Sequence, residues 1–200
     1  MSELLHCCDE NLKTIEPVER NIVHKKGIWH KTSHVWLYDD EGYVYFQVRA
    51  DVDKLYTSAS GHVAAGEEPI NTAYRETAEE LGFQLNPRKL ELIEVDAWKL
   101  DTETKHDHAF AYIYLYKIPV NYNAFSVNIN EVSNIIKIKA KDLLGYLLAL
   151  PFECEQFDVH NKKLKKNKDL LLMEDEISVL KYGRILDAIR KRTDKEKDMV

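Results

Sequence analysis

The sequence predicts an α+β domain, a mixed β-sheet flanked by helices and closed by a C-terminal helix. Three observations carry this. Strand-like runs outnumber helical ones, the first strong helical pattern follows the opening strands, and helical periodicity returns near the C-terminus. In chain order, Ser33–Tyr38 (SHVWLY) and Tyr43–Arg49 (YVYFQVR) surround the turn cluster Asp39–Gly42 and read as a hairpin. Pro69–Leu81 is the first helix, with proline fitting its first turn and Gly82 fitting the position just past its end. Lys89–Leu100 and His108–Ile118 are two further strands, the second alternating over most of its length, and Asn134–Lys139 is a shorter one. Helical pattern returns over about Lys141–Leu150 and about Glu174–Arg192, and the last eight residues are expected to fray.

The 200 residues suit one domain with a small appendage, and 44% apolar with 10% aromatic residues is ample for a buried core. A net charge of -6 gives no overall attraction to nucleic acid or anionic membrane, so a polyanionic substrate needs a local device such as a bound cation. No window approaches a membrane span, and the N-terminus lacks a signal-peptide pattern. Cys7, Cys8 and Cys154 lack metal-finger spacing and read as reduced thiols, the first two near a mobile end, which places the chain in the cytoplasm. The basic run Asn161–Lys168 reads as a solvated linker.

The stretch Ser60–Phe83 carries the chemistry. On the helix Pro69–Leu81, Ile70, Ala73, Tyr74, Thr77 and Leu81 gather on one face. Glu76, Glu79 and Glu80 gather on the other, with Arg75 well to one side and no cation four residues away on that arc to relieve them. Three such carboxylates are tolerable when fully hydrated and favourable when they hold a divalent cation; magnesium and manganese prefer oxygen ligands. Gly61 and Gly66 let the preceding loop approach closely, and Arg75 can pair with Glu67 to pin loop to helix.

These positions resemble the Nudix box. Gly61, Glu67, Arg75, Glu76, Thr77, Glu79, Glu80, Gly82 and Phe83 stand at its spacing, and only Thr77 departs, where an aliphatic residue is usual. The resemblance implies a Nudix α/β/α sandwich over residues 29–152, after an N-terminal extension, residues 1–28, and before a C-terminal helical extension, residues 153–200. It also implies hydrolysis of a diphosphate linkage in a nucleoside-diphosphate derivative or related small organic diphosphate by metal-activated water. Glu76, Glu79 and Glu80 would hold Mg2+ or Mn2+, Glu76, Glu79 and Arg75 would serve catalysis, and Gly61, Gly66, Glu67 and Gly82 would shape the box. Glu131 sits where a catalytic or metal-bridging glutamate often lies in this family. Family members often pair, so a homodimer is compatible.

The run from Trp29 to Val63 is also similar to isopentenyl diphosphate isomerases, a branch of the same superfamily. Their histidines match His24, His30 and His62, but Ser60 stands at their cysteine, and His106 and His108 stand at their acidic pair. A serine is a poor replacement for the thiol acid, so isomerase is the alternative, and a non-catalytic binding module ranks third. His30, His62, His106 and His108 are candidates for contact with substrate phosphate or for a second metal, against a plain reading as half-exposed polar residues. Trp29, Trp36, Trp98 and Tyr112 offer stacking surfaces, with core or rim packing the more ordinary fate.

Overall fold

The computed structural model describes residues 3–51, 53–103, 106–147, 157–158, 160, 162 and 176–197. Cys154 and, apart from residue 162, the basic run 161–168 lie outside the described residues. Strands β1 (Leu4–Leu5) and β2 (Val18–Glu19) pair with each other and lead into helix α1 (Arg20–Lys26). The main sheet contains β3 (His30–Tyr38), β4 (Tyr43–Arg49), β5 (Leu55–Tyr56), β6 (Ala59–His62), β7 (Glu91–Asp101), β8 (His106–Lys117), β9 (Val132–Lys139) and β10 (Phe157–Asp158). Helices α2 (Pro69–Leu81), α3 (Ala140–Leu147) and α4 (Glu176–Lys197) complete the chain order.

The sheet runs β10-β9-β4-β3-β8-β7. Strands β3 and β8 are parallel in register from His30 opposite Ala109 to Tyr38 opposite Lys117, and the other pairings are antiparallel. One sheet face, with Trp36, Val44, Phe46, Ile113 and Ile136, packs on Leu143 of α3 and Tyr182, Ile185, Leu186 and Ile189 of α4. The opposite face, with Val35, Leu37, Tyr45, Tyr114 and Ile135, packs on Ala73 and Leu81 of α2. Central strands covered on both faces read as near-continuous apolar runs, the pattern in Val35–Tyr38 and Phe110–Leu115.

The predicted hairpin forms, but β3 and β4 touch only at Leu37 opposite Tyr45 and Tyr38 opposite Val44. Beyond that point they splay. Strand β6 takes the edge of β3, and β5 takes the edge of β4, so the segment Leu55–His62 lies in the opening. Ser58 pins the apex: its Oγ accepts from the Leu37 N–H at 2.8 Å and donates to the Tyr45 carbonyl. This wedge brings Ser60–His62 under α2.

Two expectations change. The C-terminal tail is helical to Lys197 rather than frayed from residue 193, because Thr193 is buried and its hydroxyl returns to the Ile189 carbonyl, while Arg190 pairs with Asp187 and Asp194. Cys7 and Cys8 are not at a mobile end either. Both are buried, Cys7 bridging to His30 and Cys8 donating its N–H to the Trp29 carbonyl at 2.9 Å. Among the described residues no helix is long and apolar enough to cross a membrane.

Gly82 ends α2 at φ 62°, and its N–H returns to the Ala78 carbonyl. A Cβ there would meet the Ser126 Cβ and carbonyl oxygen at 2.7 Å. Gly82→Ala is expected to destabilise by about 1–3 kcal/mol through backbone strain plus this crowding. Thermal unfolding should show the midpoint falling by about 2–4 °C per kcal/mol for a chain of this size; an unchanged midpoint contradicts the cap geometry.

Candidate active site

Helix α2 begins at Pro69 and buries Pro69, Thr72, Ala73, Thr77, Glu80 and Leu81. Three details differ from the helical-wheel reading. Ile70 is 38% exposed and Thr72 takes the inner position, its hydroxyl donating to Glu67 at 2.8 Å. Glu80 is only 6% exposed, so the three acids do not share one solvated face. Arg75 does not point aside: it stands four residues before Glu79 and reaches Glu79 at 3.3 Å and Glu76 at 2.6 Å. The same guanidinium holds Glu67 at 3.1 Å, as the sequence suggested, and donates to the His62 carbonyl at 3.4 Å. Thr77, the one departure from the box pattern, is fully buried and satisfies its hydroxyl on the Ala73 carbonyl at 2.7 Å.

Strand β6 is the floor of this cluster. The Ser60 N–H donates to Glu80 Oε2 at 3.0 Å, and Gln47 of β4 donates to the same oxygen at 3.2 Å. Gly61 lies directly under Glu76; a Cβ there would fall 2.0 Å from Glu76 Oε1. Gly66, at φ 77°, has nothing within 4 Å of where a Cβ would stand, so its role is conformational.

The electrostatics follow from crowding. Burial pushes the Glu80 carboxyl up to about 8, the Ser60 and Gln47 bonds work against this, and the charges of Glu76 and Glu131 add to it. Glu76 is also raised, by burial first, with Arg75 opposing and Glu79 and Glu131 reinforcing. Glu131 lies exposed just before β9 and accepts from Asn128 Nδ2 at 2.9 Å, yet its charge reaches both Glu76 and Glu80. No cation pairs with Glu80 among the described residues. Oxygen-only donors with surplus negative charge fit a hard divalent cation.

The histidines separate into two groups. His30 and His62 meet His24 of α1, with donor atoms of all three within 4.8 Å of one another. His62 Nε2 lies 3.3 Å from His24 Nε2, and Asp107 Oδ1 lies 3.6 Å from both His24 and His30. Burial, with neighbouring His30, holds His62 down to about 3, so it is a neutral imidazole near neutral pH. His106 and His108 do not join them. Side chains alternate along a strand, so Asp107 faces the three histidines while His106 and His108 face away. Those two donate instead to one oxygen of Asp101, at 2.7 and 2.8 Å. The four-histidine set expected from sequence is therefore not assembled. Asp107 was missed, although the His-Asp-His alternation of residues 106–108 signals it.

The N-terminal segment braces this region. Leu5 bridges to Ala64, and the His6 imidazole meets the Glu67 carbonyl at 3.1 Å. Of the four aromatics, Trp36 is core and Trp98 packs against the core, while Trp29 lies at a tilt against His108 and Phe110 and Tyr112 is half-buried.

A NUDIX domain model matches residues 29–149, more than half of the chain. The chain belongs to the Nudix family. An uncharacterised Nudix hydrolase of Clostridium acetobutylicum is 28% identical over 192 residues, covering 90% of this chain and 92% of that protein. An isopentenyl-diphosphate Delta-isomerase of Streptomyces avermitilis is 36% identical over 86 residues, 40% of this chain and 43% of the isomerase. A crystal structure from Deinococcus radiodurans shares the fold, with a TM-score of 0.55 at 17% identity over 74% of this chain and 89% of that one. Nudix hydrolases generally use divalent metal ions, in keeping with the carboxylate donors here.

Two outcomes are expected. Gly61→Ala should leave a folded protein in which Glu76 is displaced, read as at least tenfold weaker Mn2+ binding in calorimetry; unchanged binding contradicts the placement of Glu76. Glu80's folded pKa lies above its ordinary 4.5, so the folded state keeps a proton that the unfolded chain releases. Stability of metal-free protein should therefore fall as pH rises towards about 8. The depressed His62 opposes this slope only until its unfolded form has lost its proton, about one pH unit above 6.5. In chelator the melting midpoint should drop from pH 6.5 to 8, and Glu80→Gln should flatten the drop; an equal slope in the variant contradicts the assignment.

Proposed function

We propose that this protein hydrolyses a diphosphate linkage in a nucleoside-diphosphate derivative or a related small organic diphosphate, with Mg2+ or Mn2+ as cofactor. The observation that carries this reading is Glu80, a buried acid held by two neutral donors, crowded by Glu76 and Glu131 and paired with no described cation. Glu76, Glu79 and Glu80 would hold the metal, which, when bound, neutralises charge developing on phosphate and lowers the pKa of its water. Arg75 ties Glu67, Glu76 and Glu79 together, fixing the loop against the helix. Glu131, exposed and outside the helix that carries the other acids, takes the proton of the nucleophile. Strand Ser60–His62 holds Glu80 through the Ser60 N–H and leaves room for Glu76 above Gly61.

A second reading has one specific support. His24, His30, His62 and Asp107 form a compact mixed nitrogen and oxygen donor set suited to a transition metal, in a region that partly matches isomerases. Against isomerisation stands Ser60, whose hydroxyl is too weak an acid to replace a thiol.

Glu79→Gln and Glu80→Gln should each lower the rate by at least about 10²-fold, measured as phosphate or monophosphate released from a panel of nucleoside-diphosphate derivatives, coenzymes and prenyl diphosphates with Mg2+. Unchanged rates remove the metal mechanism. Carbon-bound deuterium appearing in isopentenyl diphosphate incubated in deuterated water would favour the isomerase instead.

A further inference from the structure

Tyr56 is the one member of β5 that faces the carboxylate cluster. It stands directly opposite Gln47, whose side chain donates to Glu80. Opposed residues of an antiparallel pair share a sheet face with Cβ atoms about 5 Å apart, so the phenol ring projects beside Glu80. Two neighbours fix the ring. The Arg49 guanidinium lies 5.6 Å from its centroid and is itself held by Asp51 through Nε at 2.9 Å and through its second terminal nitrogen at 2.8 Å. The His34 ring lies 6.4 Å away on the side of β3.

The hydroxyl, by contrast, bonds to no described residue, although the residue is half-buried and the ring is immobilised. Its oxygen is not one of the buried polar atoms left without a partner among the described residues, so it is reachable from solvent. The charges of Arg49, Asp107 and Glu80 all act on this phenol, which stands on the sheet face that carries Gln47, the donor to Glu80. Burial raises its pKa, so it stays a proton donor at neutral pH.

We propose that Tyr56 is a substrate-contacting residue whose hydroxyl donates a hydrogen bond to a non-bridging oxygen of the diphosphate seated beside Glu80. It rests on the diphosphatase reading and adds a specificity determinant outside the box. A phenol beside the Arg49 guanidinium recognises a tetrahedral oxyanion without contributing a metal ligand, and it discriminates against ligands that place carbon at that point.

The test uses methylenediphosphonate, a diphosphate whose bridge cannot be hydrolysed, titrated calorimetrically into the full chain with Mg2+, alongside Tyr56→Phe. The variant keeps the ring and its Arg49 contact and removes only the oxygen. Binding should weaken by about tenfold or more, the range for one hydrogen bond to a charged group, with the melting midpoint and the affinity for Mn2+ alone unchanged. Equal diphosphonate binding in both proteins overturns the role of Tyr56 and leaves the diphosphatase reading standing. A parallel loss of Mn2+ affinity also overturns it, because the residue would then act through the metal seat. Failure of the parent protein to bind diphosphonate at all overturns the underlying reading first.

Discussion

The site depends on one contact, the buried carboxylate of Glu80 against the N–H of Ser60. It joins the helix that carries the acids to the strand that floors them. Glu80 is held by neutral donors only, so its negative charge is stabilised incompletely, and burial raises its proton affinity. A carboxylate left in that condition is an energetic liability unless a proton or a cation shares it. Around this bond the remaining groups fall into place: Gly61 makes room for Glu76, and Arg75 ties helix to loop.

The wedge between β3 and β4 makes that contact available. An uninterrupted hairpin would pair the two strands to their ends and leave no edge for α2 to address. Ser58 stops the pairing at its apex, and β5 and β6 line the opening. One short strand thereby serves two groups, with Gly61 beneath Glu76 and His62 beside His24. Such economy explains why helix α1, outside the region matched by the family model, still contributes a histidine to the region of the site.

Much of this was legible in the sequence. The bounds of α2 followed from Pro69 and Gly82, and the strands followed from alternation and β-branched or aromatic runs. The box residues announced themselves by spacing, including the pairing of Glu67 with Arg75. Less legible were features set by tertiary contact. A helical wheel places Glu80 with its fellow acids, but the donors that draw it inward, the Ser60 N–H and Gln47, come from other strands. Arg75 was misread although it stands four residues before Glu79, an ordinary pairing distance on a helix, and its long side chain also reaches Glu76 and Glu67. The histidines were grouped by residue type, whereas strand alternation separates His106 and His108 from Asp107. The helical tail owes its order to Thr193 and to the Arg190 ion pairs, contacts that local composition does not reveal.

The central claim is that a divalent cation belongs among Glu76, Glu79 and Glu80. Anomalous diffraction from a crystal soaked in Mn2+ tests it most directly. The account predicts a peak in contact with carboxylate oxygens of this helix, with Glu80 turned to share its charge. A map with no peak there, and with Glu80 bonded only to Ser60 and Gln47, would contradict it.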